Sequence, residues 1–157
     1  MKPSVYLETT IPSYYTARAS RDVVVAGHQA TTRDWWDTRL ARFRVFVSQI
    51  VIDEAAGGDA RAAKDRLAAL KTFPLLDVSD EASDLARHLI ESGPLPPKAA
   101  RDALHIAIAV VHGIDFLVTW NCTHIANAEM VAKIAEVCRD HGFDCPVICT
   151  PEELMGT

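Results

Sequence analysis

In residues 101–124, RDALHIAIAVVHGIDFLVTWNCTH, a helix runs almost directly into a strand. Leu104, Ile108 and Val111 recur at helical spacing with alanines between them, so the helix is apolar almost all round and packs against a sheet. Gly113 ends it. Phe116, Leu117 and Val118 then form a short continuous apolar run, the mark of a strand buried on both faces. Thr119, Trp120 and Asn121 follow at its carboxyl end, the side on which open α/β sheets bind ligands. Asp102 stands in the first helical turn, where a carboxylate meets the positive end of the helix dipole.

The same alternation extends outward in both directions. Residues 5–7 read as a strand ending at Glu8, followed by Thr9-Thr10-Ile11-Pro12-Ser13, a strand-to-helix corner in which a threonine caps the helix and its early turn accepts proline. A polar stretch over residues 16–22 leads to a helix of about 15 residues ending near Phe43, with Trp36, Leu40 and Phe43 inward and Trp35 and Tyr15 left for an interface. Residues 44–49 form a second strand, with Ser48 as cap of the helix that carries Asp53 and Glu54, and Gly57 and Gly58 stop that helix. A helix over 59–72, a strand over 75–78 and a helix over 80–92 come next. Gly93-Pro94-Leu95-Pro96-Pro97 is a rigid approach that delivers Lys98 and Arg101 beside Asp102. Downstream lie a helix over 128–142, a strand over 147–149 and a capping box at Thr150-Pro151-Glu152-Glu153. There is no internal repeat or linker. The pattern predicts one α/β domain over residues 1–157 with a parallel sheet covered on both sides.

Composition narrows the function. Of 157 residues 49% are hydrophobic, enough for a substantial core, which excludes disorder. The amino terminus has no basic and apolar leader, and the longest apolar stretch is broken by His112, Gly113 and Asp115, so the expectation is a cytoplasmic protein with no membrane role. Cys122, Cys138, Cys145 and Cys149 form no C-x-x-C pair and read as reduced thiols filling core. The net charge of −5 is uneven: residues 1–71 hold 11 Lys/Arg against 8 Asp/Glu, and residues 72–157 hold 5 against 13. Arg18, Arg21, Arg33, Arg39, Arg42 and Arg44 cluster early, which suits either a solvated helix surface or a local phosphate-binding face. No G-x-G-x-x-G, P-loop or G-x-S-x-G motif is present, which weakens dinucleotide, NTPase and serine-hydrolase readings.

Four polar positions follow strands or open helices on the ligand side: Glu8, Glu54, Asp102 and Asn121. Carboxylates brought together repel unless a cation sits among them, so such a cluster is expected to hold a hard divalent ion, Mg²⁺ or Mn²⁺, through oxygen ligands. An ion of that kind activates water and neutralises charge on a phosphoryl group, which points to phosphodiester hydrolysis. Thr119 and His105 are candidates for supporting hydrogen bonds to these residues, with a satisfied core histidine as the plainer reading of His105. Asp53 competes with Glu54, and His124 and Asn127 are placed to fix the loop after Asn121.

YLETTIPSYY, SQIVIDEAAGG, RDALHIAIAV and LVTWNCTHIAN, in that order, resemble the PIN domain and within it the VapC-type toxins of toxin–antitoxin pairs. The resemblance implies a three-layer α/β/α PIN-like fold with a central parallel sheet of four to five strands. It also implies a Mg²⁺- or Mn²⁺-dependent endoribonuclease with an RNA substrate and a cognate antitoxin. Its motif positions fall on Glu8, Glu54 and Asp102 as metal ligands and on Asn121 as the fourth catalytic position. Lys98 and Arg101 would then meet RNA phosphate, and a homodimer would use the spare aromatic side chains. Glu8 is one methylene longer than the family's usual aspartate, and Asn121 replaces a common acid, so the site carries one carboxylate fewer. The alternative is a PIN-like module that binds RNA or protein with little or no cleavage.

Overall fold

The computed structural model describes residues 1–156. Its strands β1 (Ser4–Leu7), β2 (Arg44–Ser48), β3 (Leu75–Leu76), β4 (Phe116–Val118) and β5 (Val147–Cys149) form one parallel sheet in the order β3-β2-β1-β4-β5. The helices are α1 (Thr10–Thr16), α2 (Val23–Arg39), α3 (Gln49–Ala55), α4 (Ala60–Leu70), α5 (Asp80–Glu91), α6 (Ala100–Val111) and α7 (Ala128–Asp140). From β1 the chain steps outward to β2 and β3, then returns to the far side of β1 for β4 and β5. Right-handed crossovers therefore put α1–α4 on one face and α5–α7 on the other. The packing of α1 against α2 and α4, and of α5 against α6 and α7, agrees with this. The expected three-layer α/β/α architecture is present, with all five strands.

β1 is central, and all four of its residues are buried. Its start is fastened to β4 by Asp115, whose Oδ2 accepts from the Ser4 N–H at 2.7 Å and from Ser4 Oγ at 3.0 Å, while the Asp115 N–H donates to Ser4 Oγ at 2.9 Å. α6 is the most enclosed helix contact of the sheet, with Ala103 and residues 105–110 buried, as its sequence requires. Gly113 follows with φ +65°, the left-handed conformation that closes such a helix at least cost in glycine.

Several local expectations shift. α2 begins at Val23 because the Asp22 side chain accepts from the Val25 N–H, and it ends at Arg39 before a 3₁₀ turn over Leu40–Arg42. The resulting phase buries Trp35 completely and leaves Trp36 at the rim, where it stacks on Tyr15 with centroids 4.3 Å apart. β3 is only two residues long, and Val78 lies exposed beyond it. Cys138 and Cys149 fill core as expected, all four thiols are free, and Cys122 is exposed. Among the described residues no helix is long and apolar enough to cross a membrane.

Candidate active site

The strand order reverses between β1 and β4, so their carboxyl ends frame the crevice where an open α/β sheet takes its ligand. Glu8 leaves β1 at that crevice, its N–H donating to the Val118 carbonyl at 3.1 Å. The residue is 5% exposed, and a carboxylate so enclosed needs donors. Three are supplied to Oε1: the Thr10 N–H at 3.0 Å, the Thr10 hydroxyl, and the Thr119 hydroxyl at 2.7 Å. Thr119 Oγ1 in turn accepts from the Asn121 N–H at 2.9 Å, and Thr10 Oγ1 accepts from the Trp120 N–H at 2.9 Å. Thr119 thus ties the end of β4 to Glu8, in the supporting position its place after the strand suggested.

Glu54, on α3, is the acid of its pair that turns toward this crevice; Asp53 is exposed and accepts from Gln49 Nε2 on its own helix. Glu54 Oε1 accepts from Thr9 Oγ1 at 2.6 Å and meets His105 Nε2 at 2.6 Å. Arg101 Nη1 stands 4.0 Å from Oε2. Burial pushes the Glu54 carboxyl up, but the bonds from His105 and Thr9 and the charges of His105 and Arg101 outweigh it, so its pKa lies below the ordinary value. Behind His105 a buried chain continues: Nδ1 lies 2.7 Å from Tyr6 Oη, which lies 2.7 Å from Ser48 Oγ, and all three residues are fully enclosed. Burial raises the Tyr6 phenol well above its usual range, so the hydroxyl stays protonated. With Glu54 ionised, Nε2 points its hydrogen at the carboxylate, and Nδ1 shares its hydrogen bond with the Tyr6 hydroxyl. His105 is both a satisfied core histidine and a support for Glu54.

Asp102 sits in the first turn of α6 and pairs through Oδ2 with His124 Nδ1 at 2.9 Å. His124 is brought there by Asn121, whose Oδ1 accepts from the Thr123 and His124 N–H groups at 3.2 and 3.1 Å, a local turn that folds the loop back toward α6. Asn127 closes the same loop, donating to the Thr123 carbonyl and capping α7. Lys98 and Arg101 are exposed beside Asp102. Sequence reasoning did not single out Tyr6, and it read Thr9, Thr10 and Ser48 as cap candidates; α1 and α3 have no side-chain cap bond, because these hydroxyls are spent on Glu54, Glu8 and Tyr6.

Glu8, Glu54, Asp102 and Asn121 are oxygen donors of the kind that Mg²⁺ or Mn²⁺ prefers. Their spacing differs from the expected cluster: among the described residues no three His, Cys, Asp or Glu side chains converge to hold a metal ion. Each acid has a protein partner instead, threonines for Glu8, His105 and Thr9 for Glu54, His124 for Asp102. The hydrogen bonds fall on one oxygen of each carboxylate.

The fold has solved counterparts. VapC20 of Mycobacterium tuberculosis, described as a sarcin–ricin loop cleaving toxin, superposes with a TM-score of 0.56 over 76% of this chain and 92% of its own, at 16% sequence identity. At that identity the likeness concerns the fold. No curated protein matches the sequence. The PIN domain family model matches residues 23–121, a span from the start of α2 to Asn121 that includes Glu54 and Asp102 but not β1, Glu8 or α1. The chain therefore belongs to the PIN domain family.

Proposed function

We propose that this protein is a divalent-metal-dependent endoribonuclease, the toxin half of a VapC-type toxin–antitoxin pair, acting as a single domain in the cytoplasm. The observation that carries the reading is the hydrogen-bond chain that runs from Glu8 through Thr119, Asn121 and His124 to Asp102 at the β1–β4 reversal, with Glu54 bonded separately to Thr9, the residue after Glu8. Glu8, Glu54 and Asp102 would hold Mg²⁺ or Mn²⁺ through the carboxylate oxygens that carry no hydrogen bond. The bound ion would supply an activated water and neutralise charge on the phosphoryl group. Asn121 orients water at the mouth of the crevice, Thr119 and His105 hold Glu8 and Glu54 in place, and Lys98 and Arg101 receive the phosphate backbone. A cognate antitoxin and a homodimer complete the assembly. A second reading, an RNA- or protein-binding module without efficient cleavage, draws on the same geometry, because the three acids are paired off rather than converged.

Cleavage of structured and single-stranded RNAs in Mn²⁺, Mg²⁺ or EDTA, beside Asp102→Asn, separates the two. The nuclease cuts only with metal and loses cutting in the variant. The Asp102–His124 pair is partly exposed, so the substitution changes stability by less than about 1 kcal/mol. A protein that binds RNA yet is inert with both ions, and shows no Asp102-dependent Mn²⁺ binding by calorimetry, is the binding module.

A further inference from the structure

Between α1 and α4 lies a cavity of about 520 Å³ lined by Thr16, Arg18, Asp59, Arg61, Asp65 and Arg66. We propose that it is a phosphate-binding subsite for the RNA strand that passes over the acids, an assignment that rests on the nuclease reading.

Arg66 is built into the wall. Its Nε donates to the Ala55 carbonyl at 3.0 Å and its Nη2 to the Gly57 carbonyl at 2.7 Å, so the guanidinium is fixed by neutral acceptors immediately after Glu54. Among the described residues no carboxylate lies within ion-pair distance of Arg18, Arg61 or Arg66. That is notable because two acids share the lining. Asp59 is turned to its own helix, capping the Ala62 N–H at 2.9 Å, and Asp65 stands exposed without pairing Arg61 one turn away. Arg18 and Arg61 are exposed, and a guanidinium with free donors matches a phosphate bidentately.

Position connects the cavity to the acids. α1 starts at Thr10, bonded to Glu8, and ends at Thr16 in the cavity wall, a length of about 10 Å at the helical rise. A strand seated at the acids reaches the arginines within a few nucleotides. The surface also lies in the basic part of the chain, where residues 1–71 carry a surplus of Lys/Arg. An acidic protein segment would meet the same arginines, and the test below tells it apart from RNA.

The test is anisotropy of a fluorescein-labelled single-stranded oligoribonucleotide of mixed sequence, in EDTA to prevent cleavage, titrated with full-length protein over a range of KCl. Wild type is compared with Arg18→Ala/Arg61→Ala and with Lys133→Ala/Arg139→Ala, which removes two exposed charges from α7. The α1–α4 variant should bind on the order of tenfold more weakly at low salt and lose about 1.4 from the salt slope, about 0.7 for each single-strand phosphate contact. The α7 variant should match wild type. If the two double variants behave alike while wild type binds RNA, or if wild type binds no RNA, the subsite is overturned, and the nuclease reading is decided separately by the cleavage assay above. Arginine-dependent capture of a polyglutamate peptide, with RNA binding unchanged, also overturns it and reassigns the groove to an acidic protein.

Discussion

Tyr6→Phe removes a single oxygen from the centre of the molecule, and its cost follows from the partners left behind. The hydroxyl bonds Ser48 Oγ and His105 Nδ1, both at 2.7 Å, and none of the three residues is exposed to solvent that could replace it. Phenylalanine keeps the ring packing but orphans an imidazole nitrogen and removes one partner of a serine hydroxyl. A buried polar group without a partner costs about 1–3 kcal/mol, and a serine able to rotate adds little, so about 1.5–3 kcal/mol is expected in total. In a domain of this size that lowers the melting temperature by about 3–10 °C. The control is Tyr15→Phe, which loses an exposed bond to Asp37 and should cost less than about 0.5 kcal/mol. Thermal and urea unfolding of both variants gives the comparison, and His105, now held only by Glu54, should also weaken Mn²⁺ binding measured by calorimetry. A Tyr6→Phe protein melting within about 1 °C of wild type would refute the idea that this buried chain is a satisfied network on which the fold depends.

Two further outcomes are expected. Ser4 holds the Asp115 carboxyl below its ordinary pKa through backbone and side-chain bonds, so Asp115 stabilises the fold above its unfolded pKa and loses that contribution as pH falls through the lower folded value. Urea midpoints should therefore show wild type ahead of Asp115→Asn at neutral pH, by about 0.5–1 kcal/mol at this exposed site, with the gap closing below about pH 4. A gap that is constant with pH would remove the charge from the explanation. At Gly93 an added methyl would lie 2.6 Å from the Leu89 carbonyl oxygen, so Gly93→Ala must displace backbone where the chain turns toward α6. It should cost about 1–3 kcal/mol by calorimetric melting, and an unchanged melting temperature would show that the turn yields freely.

The strands were legible because a strand covered on both faces has little to be built from except apolar residues, and the candidate site residues follow them or open the adjoining helices. Glu8, Glu54, Asp102, Asn121 and Thr119 could be picked out as candidates by that rule alone. Their partners could not. Tyr6 lies in an apolar run and reads as core, yet its hydroxyl meets a histidine 99 positions away. Thr9, Thr10 and Ser48 look like caps because local rules see only the backbone N–H donors nearby, whereas folding offers their hydroxyls carboxylates and a phenol. The tryptophans exchanged places because α2 ends at Arg39 in a 3₁₀ turn over Leu40–Arg42, so Trp36 does not share one helical face with Leu40 and Phe43, and the neighbouring Trp35, about 100° round the helix, is the one buried. His124 beside Asp102 depends on how a loop closes, which periodicity does not encode.

The central place of β1 also has a consequence for synthesis. Val5 pairs with Val45 on one side and with Phe116 on the other, and Glu8 takes a hydrogen bond from Thr119. Glu8, the earliest of the candidate acids along the chain, is thus among the last to receive its setting. A growing chain can pair β1 with β2 early, but until β4 follows, half the crevice wall is missing, Glu8 lacks one of its donors, and Asp102 has no His124 to meet. Nascent chains stay without an assembled site until the loop after β4 has emerged, so under the proposed function any cleavage waits for that step.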